Sequence, residues 1–304
     1  MADQASAVDG VFAPETITPD ARAHRRVSYW HGVWRKLRWQ PAALLGGGLL
    51  TIILLAAIFA PWIAPFDPDH GSMLTRLKPF GFRGHLLGAD ELGRDMLSRL
   101  IYGARVSLAM GVVPVFGATI IGGGLGVLAG YGGRVSNTVI MRVMDVFYAF
   151  PSVLLAVAIS GAMGGGIANG IIALTLVFIP PMCRIAETAT AQVRKLDFIE
   201  AARASGAGGW SIVRYHVIGN ILAPVLVYAA SLISVSILLS AGLSFLGLSV
   251  QPPTADWGLM LSSLVKAIYV VPWVCVLPGA AIFITSVSFS LFSDGLRAAM
   301  DVRG

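Results

Sequence analysis

Charged side chains make up only 12 % of this 304-residue sequence, about half the share of an ordinary soluble domain. That scarcity excludes a chain wrapped all round in water. Histidine is also sparse, and His24, His31, His70, His85 and His216 all fall outside the apolar stretches. The serines inside those stretches, Ser160, Ser240 and Ser244 among them, therefore have no imidazole beside them to act as a base, and hydrolytic serine chemistry is set aside. No Gly-Lys dipeptide occurs anywhere. The phosphate-cradling pattern G-x-x-x-x-G-K-[ST] is thus absent, and the chain cannot hold a nucleotide triphosphate in that way. Internal repeats and low-complexity tracts are missing as well, and cysteine is reduced to Cys183 and Cys275.

What fills the space is hydrocarbon: 56 % of the residues are hydrophobic. Apolar runs of about 20 residues, long enough to cross a ~30 Å hydrocarbon core at ~1.5 Å per residue, are read at 42–64, 104–129, 138–162, 167–183, 217–246 and 274–292. The fold class predicted is an all-α polytopic membrane protein with six transmembrane helices. Lys and Arg collect on the cytoplasmic side of such proteins. The leading tail carries Arg22, Arg25, Arg26, Arg35, Lys36 and Arg38, and placing it inside also puts Arg134, Arg142, Arg184, Arg194, Lys195, Arg203, Arg214, Arg297 and Arg303 inside, most of the 22 basic residues. Both termini are then cytoplasmic. The net charge of +6 is accounted for by the bilayer and its lipids, with no nucleic acid needed. Trp30, Trp34 and Trp39 approach the first span from within, and Trp62 and Trp273 stand at outer ends, as interface anchors do. Cys183 and Cys275 fall on opposite sides, so no disulfide is expected. No short apolar segment close to Met1 reads as a signal peptide, and the first span is expected to be retained.

Four parts follow along the chain: a cytoplasmic tail and interfacial segment at 1–40, the first span at 41–64, an extracytoplasmic loop at 65–103, and a core of five spans at 104–304 that includes a cytoplasmic loop at 184–216. The outer loop holds Gly88-Ala89-Asp90-Glu91-Leu92-Gly93-Arg94-Asp95. With no His or Cys among its acids and Arg94 opposing a cation, it reads as a folded loop whose carboxylates cap helices or pair with Arg94 and Arg99, and no metal site is assigned. Ala118, Gly122, Gly126 and Gly130 recur every four residues and predict close helix packing, with gating by Gly122-Gly123-Gly124 the rival reading. Arg142 and Asp145, three apart, can meet on one helix face, either as a self-neutralising inner-end pair or as functional ionisable groups. Pro151, Pro180, Pro181 and Pro224 are expected to kink or break their helices.

The loop at 184–216 is too long for a tight turn. Asp197 followed by Glu200 has capping-box spacing, so Asp197 is expected to start a helix and Glu200 to reach back to it. Gly206, with Gly208 and Gly209 behind it, supplies a left-handed stop after about two turns. A helix that short is unstable alone in water and must pack on something. Phe198, Ala201, Ala202 and Ser205 share one face by the i, i+3, i+4, i+7 rule, and the small ones admit a close backbone. On the residues alone two readings stand: the segment packs on its own bundle, or it inserts into a groove of another chain.

Glu200-Ala201-Ala202, Gly206 four residues on, and the continuation to Ile218-Gly219-Asn220 resemble the coupling loop of ABC-importer permeases. That family usually has a Pro-Asn pair where this chain has Gly219-Asn220, which bears on the stiffness of the return into the fifth span. His85-Leu86-Leu87-Gly88, Asp90, Gly93-Arg94-Asp95 and Arg105-Val106-Ser107-Leu108 are similar to the start of the second permease of dipeptide, oligopeptide and nickel importers. Gly242-Leu243-Ser244-Phe245-Leu246-Gly247-Leu248, Pro252-Pro253, Asp256-Trp257-Gly258 and Asp294-Gly295-Leu296-Arg297 extend the resemblance to about 40–304. The resemblance implies a type I ABC-importer permease fold. It implies a transport subunit, not an enzyme, in the bacterial cytoplasmic (inner) membrane, paired with a homologous second permease, two cytoplasmic ATPase subunits and an extracytoplasmic solute-binding protein. ATP and Mg would be bound by the ATPases, with no cofactor in this chain. It also makes Asp197, Phe198, Glu200, Ala201, Ala202, Arg203, Ser205 and Gly206 the ATPase-coupling helix. The solute expected is a di- or oligopeptide, with nickel, a metal chelate, glutathione or an opine-like solute as alternatives. An ion-coupled secondary transporter using Arg142 and Asp145 is the rival of another class.

Overall fold

A computed structural model describes residues 29–300; the tail residues Arg22, Arg25 and Arg26, with His24 and Arg303, lie outside the described residues. Helix is the only regular structure among the described residues, apart from isolated bridges such as Gly71 to Arg94 in the loop before α4. In chain order the helices are α1 Tyr29–Leu37, α2 Pro41–Ile58, α3 Ala60–Ile63, α4 Met96–Tyr131, α5 Arg134–Tyr148, α6 Ser152–Met163, α7 Ile167–Val193, α8 Asp197–Ala204, α9 Gly209–Ile212, α10 Ile218–Phe245, α11 Trp257–Leu264 and α12 Pro272–Met300. A π-turn, Val213–Val217, joins α9 to α10, so that Gly209–Phe245 is one helical run.

Among the described residues five helices are long and apolar enough to cross a bilayer, and α5 with α6 makes a sixth span only if the two count as one. The single helix expected at 138–162 is therefore corrected to a broken one, bent by 86°. Pro151 explains the break: it has no N–H to give, its ring crowds the preceding turn, and it takes an extended ψ of 126° before α6 starts. Pro180, Pro181 and Pro224 sit inside continuous helices; a membrane helix tolerates the lost bond where neighbours pack around it. The loop expected from 184 begins as helix, since α7 runs on to Val193.

The bundle is centred on α4 and α7, which run side by side. Where Ala118, Gly122, Gly126 and Gly130 face α7 they are all buried, and a Cβ built on Gly122 would stand 2.6 Å from the Ile179 carbonyl oxygen. The stripe is a packing surface, as its spacing predicts. Gly123 and Gly124 face away from it, with no atom within 4 Å of an added Cβ. The remaining spans gather round: α10 lies against α4, α7 and α12, and α2 lies on α12.

Over the N-terminal end of α4 the loop is held by buried charge. Asp90 Oδ2 accepts from Arg94 Nε (2.7 Å) and Oδ1 from the backbone N–H groups of Leu92 and Arg94. Asp95 caps α4, accepting from the Ser98 N–H and hydroxyl (both 2.7 Å), with His85 Nδ1 2.9 Å from its other oxygen. Arg99 Nη1 donates to the Pro68 carbonyl (2.9 Å) and its Nε lies 3.5 Å from Asp90. The carboxylates cap and pair as expected. Two distant motifs also meet here: Ser107 Oγ donates to Asp256 Oδ1 (2.6 Å), the Trp257 N–H donates to Ser107 Oγ, and Asp256 Oδ2 caps α11. Cys183 and Cys275 are both free and buried.

Candidate functional site

Beyond α7 the chain turns at Arg194, Lys195 and Leu196 and enters α8. Leu196, with extended backbone, occupies the cap position and makes no side-chain cap bond. The expected capping box is therefore corrected. The helix starts one residue earlier than its spacing implied, so Asp197 is already the first helical residue and Glu200 does not close a reciprocal pair with it. Both acids still lie in the first turn and Arg203 in the last, the order that favours the helix dipole. The stop is as expected: Gly206 has φ +80°, its N–H donates to the Arg203 carbonyl (2.9 Å), and the Ala207 N–H donates to the Ala202 carbonyl (3.1 Å). Ser205 Oγ also donates back to the Ala201 carbonyl (2.9 Å).

What anchors α8 is Ile199, which is completely buried and packs among Val193, Ile212, Val217 and Ile221, with Ala202, Ala207 and Tyr131 partly buried around it. The face expected to insert elsewhere is thereby split. Ala202 turns toward the chain's own bundle, while Asp197, Phe198, Glu200, Ala201, Arg203, Ser205 and Gly206 are exposed. Phe198, 41 % exposed, leans toward His216 with ring centroids 6.2 Å apart. Ile199 was missed by the sequence reading; its one signal is the i, i+3 spacing to Ala202 on a face adjacent to that of Phe198. Trimming Ile199 to alanine should undock α8 at a cost of about 2–4 kcal/mol, read as faster tryptic cleavage after Lys195 and Arg203 with the rest of the bundle still protected.

The link from α8 to the spans is short and helical. After Gly206, the continuous run from Gly209 to Phe245 carries the chain back across, and Gly219, in place of the usual Pro, lies inside it with Asn220 Nδ2 donating to the His216 carbonyl (2.6 Å). Beside this run the guanidinium carbons of Arg203 and Arg194 stand 5.5 and 5.9 Å from the Tyr131 ring. Arg142 and Asp145 are only 3.9 Å neighbours; Asp145 bonds instead to Arg184 Nη2 of α7 (2.7 Å), and Arg184 lies over the Tyr148 ring. That ion pair is half exposed and ties α5 to α7. No cluster of three or more metal-ligating side chains occurs among the described residues.

Comparison with known proteins agrees with this arrangement. Residues 122–303 match the model of the binding-protein-dependent transport system inner membrane component family, and residues 28–79 match the N-terminal transmembrane domain of oligopeptide transport permease C. The glutathione transport system permease protein GsiD of Pectobacterium atrosepticum is 38 % identical over 90 % of each chain, and that of Escherichia coli O6:K15:H31 is 41 % identical over the same shares. In three dimensions the chain resembles the MetNI methionine ABC transporter in an inward-facing conformation, with a TM-score of 0.54 at 23 % identity over 67 % of this chain and 97 % of that one, which bears on the fold. Helical spans, motif clusters and family match converge: the chain belongs to the binding-protein-dependent transport system inner membrane component family, as a multi-pass ABC-importer permease subunit and not an enzyme.

Proposed function

We propose that this permease carries a peptide-like solute across the inner membrane by alternating access, driven through α8. The supporting observation is the two-sidedness of α8: one side is fastened to the bundle by Ile199, the other is bare, and the chain continues from it as helix into α10. A helix held in this way moves with the ends of α4, α7 and α10, because packed elements shift between discrete arrangements more readily than they bend. On this reading Asp197, Phe198, Glu200, Ala201, Ser205 and Gly206 meet an ATPase subunit, Ala202 backs them, Arg203 turns back over the Tyr131 ring, and both termini lie on the same cytoplasmic side. ATP and Mg are bound by two ATPase subunits, a homologous permease completes the pore, and an extracytoplasmic protein delivers the solute. Glutathione, a tripeptide and the solute in the relatives' names, is the first candidate; other di- and oligopeptides follow.

Phe198→Ala combined with Glu200→Lys changes only the bare face. In the assembled transporter this variant should lose at least ten-fold in uptake, the factor that about 1.4 kcal/mol of lost docking gives, and its ATP hydrolysis should no longer respond to loaded binding protein. Membrane insertion should be unchanged. Normal uptake with normal stimulation would overturn the reading. Mass spectrometry of the ligand retained by the cognate binding protein separates glutathione from longer peptides.

A further inference from the structure

Gly123 and Gly124 are the part of the glycine run that helix packing does not use. Their missing side chains open a groove of about 640 Å³ on the outside of the bundle, walled by α4 (Thr119, Val127, Leu128) on one side and by Trp210, Ile221 and Val225 of the α9 to α10 run on the other. From Thr119 to Tyr131 the groove follows α4 for about 18 Å, close to the ~15 Å depth of one bilayer leaflet. The lining is hydrocarbon, and it continues into the exposed Ile120, Ile121 and Ile218. Apart from the Thr119 hydroxyl, which donates to the Val115 carbonyl, polar chemistry lies at the α8 end. There Tyr131 lines the groove with the guanidiniums of Arg194 and Arg203 within 6 Å of its ring, and neither Arg pairs with a carboxylate among the described residues. Trp210, 73 % exposed, stands at the same end, where an amphipathic ring suits the headgroup level.

We propose that this groove binds an acyl chain of an anionic phospholipid from the leaflet on the α8 side, with Arg194 and Arg203 meeting its phosphate. Two cations over a hydrocarbon slot of one leaflet's depth match that ligand in both charge and length. The site shares a wall with the connection between α8 and α10. Lipid in the groove therefore packs against Trp210 and Val213 and braces the segment that must move with α8.

The test uses the full-length chain in nanodiscs of equal phosphatidylglycerol and phosphatidylethanolamine, released into native mass spectrometry. Wild type should retain one phosphatidylglycerol, enriched roughly ten-fold over phosphatidylethanolamine, as expected for two cations facing an anionic headgroup. Arg194→Gln with Arg203→Gln should keep a bound lipid but lose the enrichment. Gly123→Leu with Gly124→Leu should lose the lipid altogether, and because added Cβ atoms there meet nothing, its melting temperature should be no lower than wild type. Equal retention of the two lipids by wild type, or an unchanged adduct in the leucine variant, would overturn the proposal. So would efficient crosslinking of Leu128 to a partner protein in the assembled transporter, which would mean that protein covers the groove.

Discussion

Gly126→Leu should prevent a stable permease from accumulating in the membrane. A Cβ at this position would overlap the Cys183 carbonyl oxygen and stand 2.6 Å from Ala186 Cβ and 2.8 Å from the Glu187 nitrogen. Two of these are backbone atoms of α7, so no side-chain rotation relieves the clash and the helices must part. Overpacking usually costs about 1–3 kcal/mol, and separating the central helix pair also forfeits the close packing of α7 against Gly122 and Gly130. Yield and melting temperature in detergent measure the effect. Gly123→Ala, one turn earlier on the open side, is the control: it should be neutral or stabilising by up to about 1 kcal/mol, because alanine favours helix over glycine. If Gly126→Leu melts like wild type, α4 and α7 are not in backbone contact.

Asp90→Ala should destabilise the loop before α4 by about 3–5 kcal/mol, the usual cost of removing one member of a buried ion pair. Asp90 and Arg94 are nearly inaccessible, with side chains 3 % and 7 % exposed, so solvent cannot screen what is left. Arg94 and Arg99 would lose their shared carboxylate and keep only the longer approaches of Glu91 (3.8 Å) and Asp69 (3.6 Å), and the Leu92 and Arg94 N–H groups would lose their acceptor. Asp90→Asn, which keeps the acceptor oxygen without the charge, should fall between. Trypsin digestion of open membrane fragments, scored at Arg94 and Arg99, would order the three proteins; equal protection of all three would show that the pair does not hold the loop. Since this loop is remote from α8, its loss should lower the amount of transporter rather than its response to ATP.

The spans were legible because hydropathy needs no partner: a run such as 42–64 is too apolar to lie anywhere but in a bilayer. Packing at Gly122, Gly126 and Gly130 was legible for a related reason, since a four-residue repeat marks one helix face whatever lies opposite. Around α8 the same logic reached only part of the site. Gly206 was readable as a stop because its need for positive φ is its own. The start was not, because Asp197 and Leu196 can each take the cap, and the choice follows the turn that leaves α7. Likewise Phe198 and Ile199 are equally apolar neighbours, and only the position of Val193, Ile212, Val217 and Ile221 decides which one is buried. Asp145 had a candidate partner three residues away in Arg142, and took Arg184 from another helix.

Composition, apolar length and charge asymmetry were enough to establish a polytopic membrane protein that lacks the P-loop pattern, and its motifs were enough to point to the permease family. These are properties of single segments in contact with water or lipid, so they survive without knowledge of the fold. The pairing of Asp145 with Arg184, the anchoring of α8 by Ile199 and the groove beside Gly123 and Gly124 were decided by tertiary structure. Each depends on which side chains from distant segments arrive at the same place, and the energy of such a meeting is not written in either segment alone.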